Sequence, residues 1–279
     1  MRIVTLMLIG SLLAVSGHGQ ELVAYKTIDT TTLYLEVHRP ADMQREDTYP
    51  ALIFFFGGGW RGGDRGHFRR QARYLSKRGL VCFLADYRTF SKHATDPFES
   101  LKDAKSAMRF LRKHAGRWQV DPNRIIAAGG SAGGHLAAAT ALVRYFDDPA
   151  DDLTISPVPN ALVLFNPVID NGPGGYGYER VGEPYRDFSP LHNIRSGAPP
   201  TLLLLGTEDA LVPVETAEYY RLVMEKVGSR CDLILYEGSK HGFFNYGRDG
   251  DRYQETLTAS DEFLQSLGYL SRDPVISME

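Results

Sequence analysis

Short apolar runs and longer amphipathic stretches alternate along the chain. Residues 22–27 and 33–38 alternate apolar with polar side chains, the two-residue period of strands with one wet face, and predict an opening antiparallel hairpin. Six further runs, 51–56, 80–86, 125–128, 161–165, 201–205 and 231–236, are nearly continuous in apolar residues, as strands covered on both faces are. Between them Phe98, Leu101, Ala104, Met108 and Leu111 recur at three- and four-residue steps with charges opposite, which predicts a helix lying on a sheet. Phe68, Ala72 and Leu75 make a shorter stripe. Ala217, Tyr220, Val223, Met224 and Val227 make another, entered through Pro213, and Phe263, Leu264 and Leu267 mark a terminal helix. The alternation predicts an α/β fold, a mostly parallel eight-stranded sheet with helices on both faces. Residues 171–187 (NGPGGYGYERVGEPYRD) show no period. They read as a surface excursion at the carboxyl end of a strand, where open α/β sheets bind ligands.

The length of 279 residues suits one large domain. A net charge of −3 offers no basic face for a nucleic-acid partner. Residues 1–19 stand apart: Arg2, an apolar run over 3–15 too short to span a bilayer, then a small-residue exit over 16–19. They read as an export signal to the periplasm or the exterior, leaving residues 20–279 as a single domain. No later stretch is apolar enough to predict stable membrane insertion, and the oligomeric state is not fixed by the sequence. Cys82 and Cys231 fall on strands expected near the centre and the edge of the sheet, so two buried, unpaired thiols are expected.

The candidate chemistry begins at Gly129-Gly130-Ser131-Ala132-Gly133. A G-x-S-x-G pattern is short, but here an apolar strand leads in and a helix-compatible run leads out, the strand–turn–helix of a nucleophile elbow. The turn needs glycine at 129 and 133 because a side chain there would clash. It presents the Ser131 hydroxyl at a helix N-terminus, whose dipole favours developing negative charge. A capping serine in a glycine-rich turn is the blander alternative.

Serine needs an imidazole to take its proton. His18 lies in the leader, and His38, His67, His93 and His114 precede Ser131, against the chain order serine, acid, histidine. His135 is one helical turn on and reads as structural. His192 is a weaker rival to His241, which follows the last strand and precedes the terminal helix. The orienting carboxylate is read as Asp209, just after the strand over 201–205, ahead of Glu208 beside it and Asp170 after the strand over 161–165. The oxyanion donors are assigned to the amides of Ala132, Gly58 and Gly59, the last two in the glycine triplet that directly follows the strand over 51–56.

With these residues in place, the chain resembles the esterase/lipase branch of the α/β-hydrolases with an HGGG-type oxyanion loop, and within it secreted bacterial feruloyl and acetyl-xylan esterases. The resemblance is carried by FFGGGWRGGD (55–64), ADYR (85–88), GGSAGGHLA (129–137), FNPV (165–168), GTEDALVP (206–213) and KHGFF (240–244). It implies the α/β-hydrolase fold and acetyl or feruloyl esters of carbohydrates as substrates. It departs at Phe56, where the family usually has a histidine that braces the oxyanion loop by hydrogen bonds. Packing by Phe56 is the expected substitute.

The expected reaction is a two-step acyl transfer through Ser131 that needs no cofactor and no metal. No Cys/His cluster has zinc-site spacing. Trp60, Tyr176 and Tyr178 are candidates to line the substrate pocket, by stacking on a sugar or an aryl ring, with plain packing as the equal alternative. Rival readings are a general short-chain carboxylesterase or lipase, a serine peptidase, and a non-catalytic binder on the same fold. A peptidase usually adds a recognition domain for which this chain has no room, and a binder usually lacks a triad member.

Overall fold

Residues 21–271 are described here from a computed structural model of the protein. The export signal read over 1–19 lies outside the described residues. Eight strands form one sheet: β1 (Glu21–Ile28), β2 (Thr31–His38), β3 (Tyr49–Phe55), β4 (Val81–Ala85), β5 (Val120–Gly130), β6 (Ala161–Phe165), β7 (Thr201–Gly206) and β8 (Cys231–Tyr236). Their order is β1-β2-β4-β3-β5-β6-β7-β8. β2 runs antiparallel to both β1 and β4, and all other pairs are parallel.

The continuous apolar runs follow from burial of both faces. Along β3, Ile53 and Phe55 enter one core and Leu52 and Phe54 the other. Helices Arg69–Lys77 and Arg252–Ser266 cover the second core through Ala72, Leu75, Phe263 and Leu264. Helices Pro97–Lys113, Ala132–Leu142 and Val214–Lys226 cover the first through Leu101, Met108, Leu136, Ala217 and Tyr220. Each leucine, methionine or phenylalanine among them contributes about 1.5–3 kcal/mol on removal from water. Helix Pro97–Lys113 opens as capping chemistry dictates, with proline in its first turn and the Asp96 carboxylate accepting from Glu99 N at 3.0 Å.

Strand β5 starts five residues earlier than its apolar run, at Val120 rather than residue 125, because Val120 pairs with Tyr49 before a register shift to Ala51↔Ile125. The polar residues between hide this extension. Cys82 lies on β4 and Cys231 on the edge strand β8, both buried and free. Strands β3, β5, β6 and β7 stand between them. Residues 171–187 hold two short helical turns, Tyr178–Val181 and Tyr185–Phe188, with Phe188 anchored in the core. Among the described residues no helix is long and apolar enough to cross a membrane.

The register decides where the site forms. Phe55 pairs with Gly129, Gly130 with Phe165, Phe165 with Leu204, and Gly206 with Tyr236. The loops after β3, β5, β7 and β8 therefore leave the same edge of the sheet side by side.

Candidate active site

Strand β5 ends at Gly130 and the next helix begins at Ala132, so Ser131 makes the turn alone. Its backbone has φ 54° and ψ −121°, a conformation that costs a non-glycine residue about 1–3 kcal/mol. Three hydrogen bonds hold it there. Ser131 N–H donates to the Phe165 carbonyl at 3.0 Å, and the Ser131 carbonyl accepts from His135 N at 3.0 Å and Val168 N at 3.1 Å. The flanking glycines leave the space. A side chain at 129 would strike the Gly133 carbonyl, and one at 133 would strike the carbonyls of Phe55 and Phe56.

The loops after β7 and β8 bring the acid and the base to this hydroxyl. His241 Nε2 lies 2.9 Å from Ser131 Oγ, and His241 Nδ1 lies 2.7 Å from Asp209 Oδ2. The other carboxylate oxygen of Asp209 accepts from Leu211 N at 2.9 Å and Val212 N at 3.0 Å. The Asp209 side chain is shielded from solvent, whereas the imidazole is 22% exposed. A carboxylate only accepts, so the network places the His241 proton on Nδ1 and turns the Nε2 lone pair to the serine.

The rivals are otherwise engaged. Glu208 is exposed. Asp170 and His192 face each other at 3.7 Å. His135 is fully buried with Nε2 at 3.2 Å from the Phe188 carbonyl, and burial pushes its imidazole down to about 3.

The glycine loop uses its polar groups in a definite order. Tyr87 O–H donates to the Phe56 carbonyl at 2.7 Å, and Gly57 N–H donates to His67 Nδ1 at 3.0 Å. The Gly58 carbonyl accepts from Arg61 N at 3.0 Å and Gly62 N at 3.2 Å. The Gly59 carbonyl accepts from Arg180 Nη1 at 2.6 Å. Gly58 and Gly59 have φ of 128° and 63°, which glycine adopts without strain. Among the described residues no acceptor stands against the amides of Gly58, Gly59 or Ala132. These are the donors the sequence assigns to an oxyanion.

Phe56 does pack, stacked on Tyr87 with ring centroids 3.9 Å apart. The loop also has an imidazole brace, supplied by His67 from a later turn. Reading the sequence weighs His67 only as a base and misses this. It also misses Asn166, held at φ 34°, whose Oδ1 accepts from Gly242 N at 3.0 Å and whose Nδ2 lies 3.3 Å from His241 Nε2.

Ser131 and His241 open into a cleft of about 500 Å³, also bordered by Asp64, Tyr176, Leu211, Phe244, Asn245 and Arg248. Tyr176 stands where the sequence expects it. The other two aromatics take the packing role that the sequence leaves open beside pocket lining. Trp60 is 1% exposed, and its ring meets His135 edge-on at 5.1 Å. Its left-handed backbone, φ 57°, accompanies this inward placement, and it borders a separate cavity of about 300 Å³ with Phe90, Pro97 and Arg180. Tyr178 is absent from the lining of the cleft, because its hydroxyl donates to Glu183 at 3.3 Å and its ring packs on Tyr185.

Known proteins fit this geometry. The BD-FAE family profile matches residues 35–171, and that of the dienelactone hydrolase family matches residues 176–269. Acetylxylan esterase of Xylanibacter ruminicola is 30% identical over 78% of this chain and 44% of its own length. A probable isoprenylcysteine alpha-carbonyl methylesterase of Arabidopsis thaliana is 26% identical over 69% of this chain and 45% of its own. The chain thus spans about half the length of these curated relatives. Among solved structures, the apo form of Thermogutta terrifontis esterase 2 superposes with a TM-score of 0.88 at 44% identity, covering 92% of this chain and 97% of that one. The same esterase is known with propionate bound and with butyrate bound, and phosphorylated by paraoxon. The eight-stranded sheet, the loops gathered at its carboxyl edge and 44% identity over nearly the whole length of a solved esterase show that the chain belongs to the α/β-hydrolase esterases.

Proposed function

We propose that the protein hydrolyses carboxylic esters through an acyl-enzyme on Ser131, with short-acyl esters of carbohydrates as its substrates. The observation that carries the reading is the continuous hydrogen-bonded chain from Ser131 Oγ through His241 to Asp209, at 2.9 and 2.7 Å, beside a loop with unclaimed amides. His241 takes the serine proton as Oγ attacks the ester carbonyl. The amides of Gly58, Gly59 and Ala132 hold the oxyanion, and Asp209 stabilises the imidazolium. His241 then gives its proton to the departing alcohol. Water, deprotonated by the same imidazole, releases the acid and restores the serine.

The polar border of the cleft, with Asp64, Asn245 and Arg248 around one tyrosine ring, suits a hydroxyl-rich alcohol. The acetylxylan esterase relative and the propionate- and butyrate-bound neighbour support a short acyl group. A feruloyl group has less support, because Tyr176 is the one ring of the three expected that borders the cleft. Export from the cytoplasm is part of the proposal and rests on residues 1–19 alone.

The test is kcat/KM on a panel: acetylated xylo-oligosaccharides, p-nitrophenyl esters from acetate to laurate, methyl ferulate and a peptide anilide. Short acyl esters should be the best substrates, and the acetylated sugars should exceed simple alkyl acetates. Turnover of no ester by folded protein refutes the catalytic reading. Equal rates on sugar and alkyl acetates reduce it to a general carboxylesterase.

A further inference from the structure

His67 lies outside the proposed triad, on the turn Arg65–Phe68 that follows the glycine loop. Its ring joins two loops that are far apart in sequence. On one side Nδ1 accepts from Gly57 N–H at 3.0 Å. On the other Nε2 lies 2.6 Å from Asn245 Oδ1, a partner 178 residues away. Asn245 in turn donates from Nδ2 to the Gly242 carbonyl at 2.9 Å. Gly242 is the neighbour of His241, and Gly57 is the neighbour of Gly58. We propose that His67 is a positioning residue that locks the oxyanion loop to the loop carrying the base, acting as the neutral tautomer with its proton on Nε2. This inference rests on the function proposed above.

The tautomer follows from the network. Asn245 must use its amide N–H on Gly242 O, so it turns its carbonyl oxygen to the imidazole, and Nε2 must be the donor there. Nδ1 then has a free lone pair, which is what an amide donor at Gly57 requires. An imidazolium could not accept that bond. The surroundings favour the neutral ring: Phe68 and Phe244 flank it with centroids at 4.7 and 5.6 Å. Burial pushes its basicity down from the ordinary histidine value, against the hydrogen bond it donates to Asn245 and the charge of Asp64. The ring also fills the space beside the nucleophile. A side chain at Gly57 would meet His67 Cε1 at 3.3 Å and Ser131 Cβ at 3.5 Å.

Loss of the imidazole leaves Gly57 N–H without its acceptor, and the peptide planes that follow it, which carry the Gly58 and Gly59 amides, lose their fixed orientation. An oxyanion exists only in the transition state and the tetrahedral intermediate. The damage therefore falls on kcat and spares KM.

Two replacements separate the two bonds. Asn places an acceptor where Nδ1 was, and Gln places a donor where Nε2 was. The experiment measures wild-type ester hydrolysis first, then kcat, KM and melting temperature of His67→Ala, His67→Asn and His67→Gln. The expected result is a kcat about tenfold or more lower for H67A and H67Q, with KM within about twofold, and most of kcat restored in H67N. A wild-type kcat in H67A overturns the proposal. So do equal losses in H67N and H67Q that track their melting temperatures, which is the behaviour of a merely structural residue. Should H67A not fold, the contrast between Asn and Gln decides alone. Wild-type protein without esterase activity would instead refute the function and would be seen before any variant is made.

Discussion

Asp209→Asn changes one atom and should nearly abolish turnover. In the wild type, one carboxylate oxygen accepts from the amides of Leu211 and Val212 and the other from His241 Nδ1. An asparagine there must choose. With its carbonyl toward the two backbone amides, its NH2 faces Nδ1 and forces the imidazole proton onto Nε2, where it blocks acceptance from Ser131. The flipped rotamer would set NH2 against two N–H donors, at about 1–3 kcal/mol for each unmet group, so the blocking orientation prevails. A wrong tautomer of this kind lowers kcat by about 10⁴ in a serine–histidine–aspartate enzyme, or about 5.4 kcal/mol of barrier at 1.36 per decade. The backbone bonds survive, so the fold should be intact. The assay is kcat on p-nitrophenyl acetate near neutral pH alongside a thermal melt. A folded D209N within tenfold of wild type refutes the reasoning, and a larger loss in Asp170→Asn would move the acid to the loop after β6.

Gly133→Ala drives a methyl group into the carbonyls of Phe55 and Phe56. Overpacking of about 1–3 kcal/mol should lower the melting temperature by roughly 2–12 °C at about 2–4 °C per kcal/mol, and an unchanged melt contradicts the elbow geometry. Arg180→Met releases the Gly59 carbonyl and should cost kcat about tenfold with little change in KM; a loss confined to KM would make Arg180 a substrate contact instead. His135, fully buried with its pKa pushed from 6.5 to about 3 by burial, must stay neutral in the fold. On acidification the unfolded chain binds that proton first, so stability is full above about pH 6.5 and falls as the pH drops toward 3, by up to about 1.4 kcal/mol per unit. His135→Gln should lose that slope in urea unfolding at several pH values, and identical acid slopes refute the assignment. Ellman's reagent should find neither Cys82 nor Cys231 in native protein and both after denaturation, because both are buried and unpaired; rapid native reaction contradicts their burial.

The fold was legible because burial writes itself into a strand. The cores on both faces of the central strands leave continuous apolar runs, and the half-wet β1 and β2 leave alternation. Ser131, Asp209 and His241 could be singled out because the loops that hold them follow strands in a fixed chain order, and the structure brings the three together. The rest depends on tertiary geometry. His67 and Asn245 have no local signal, since their meeting is set by two loops 178 residues apart. Trp60 reads equally as a pocket aromatic or as packing until its left-handed backbone is known to accompany an indole buried in the core. Tyr178 sits in the same aperiodic segment as Tyr176, and only the turn at Tyr178–Val181 separates their surroundings. The early start of β5 is masked by the polar residues 121–124, which fall in the register shift between the Tyr49↔Val120 and Ala51↔Ile125 pairs.

The central claim, that the Ser131 hydroxyl is activated by His241, is tested most directly by reaction with a fluorophosphonate followed by peptide mapping. The account predicts one adduct, on the peptide that carries Ser131, formed rapidly in wild-type protein and at a rate lower by orders of magnitude in His241→Ala. Folded protein that takes up no label, or that is labelled at another serine, or whose Ser131 reacts equally fast without His241, would contradict it.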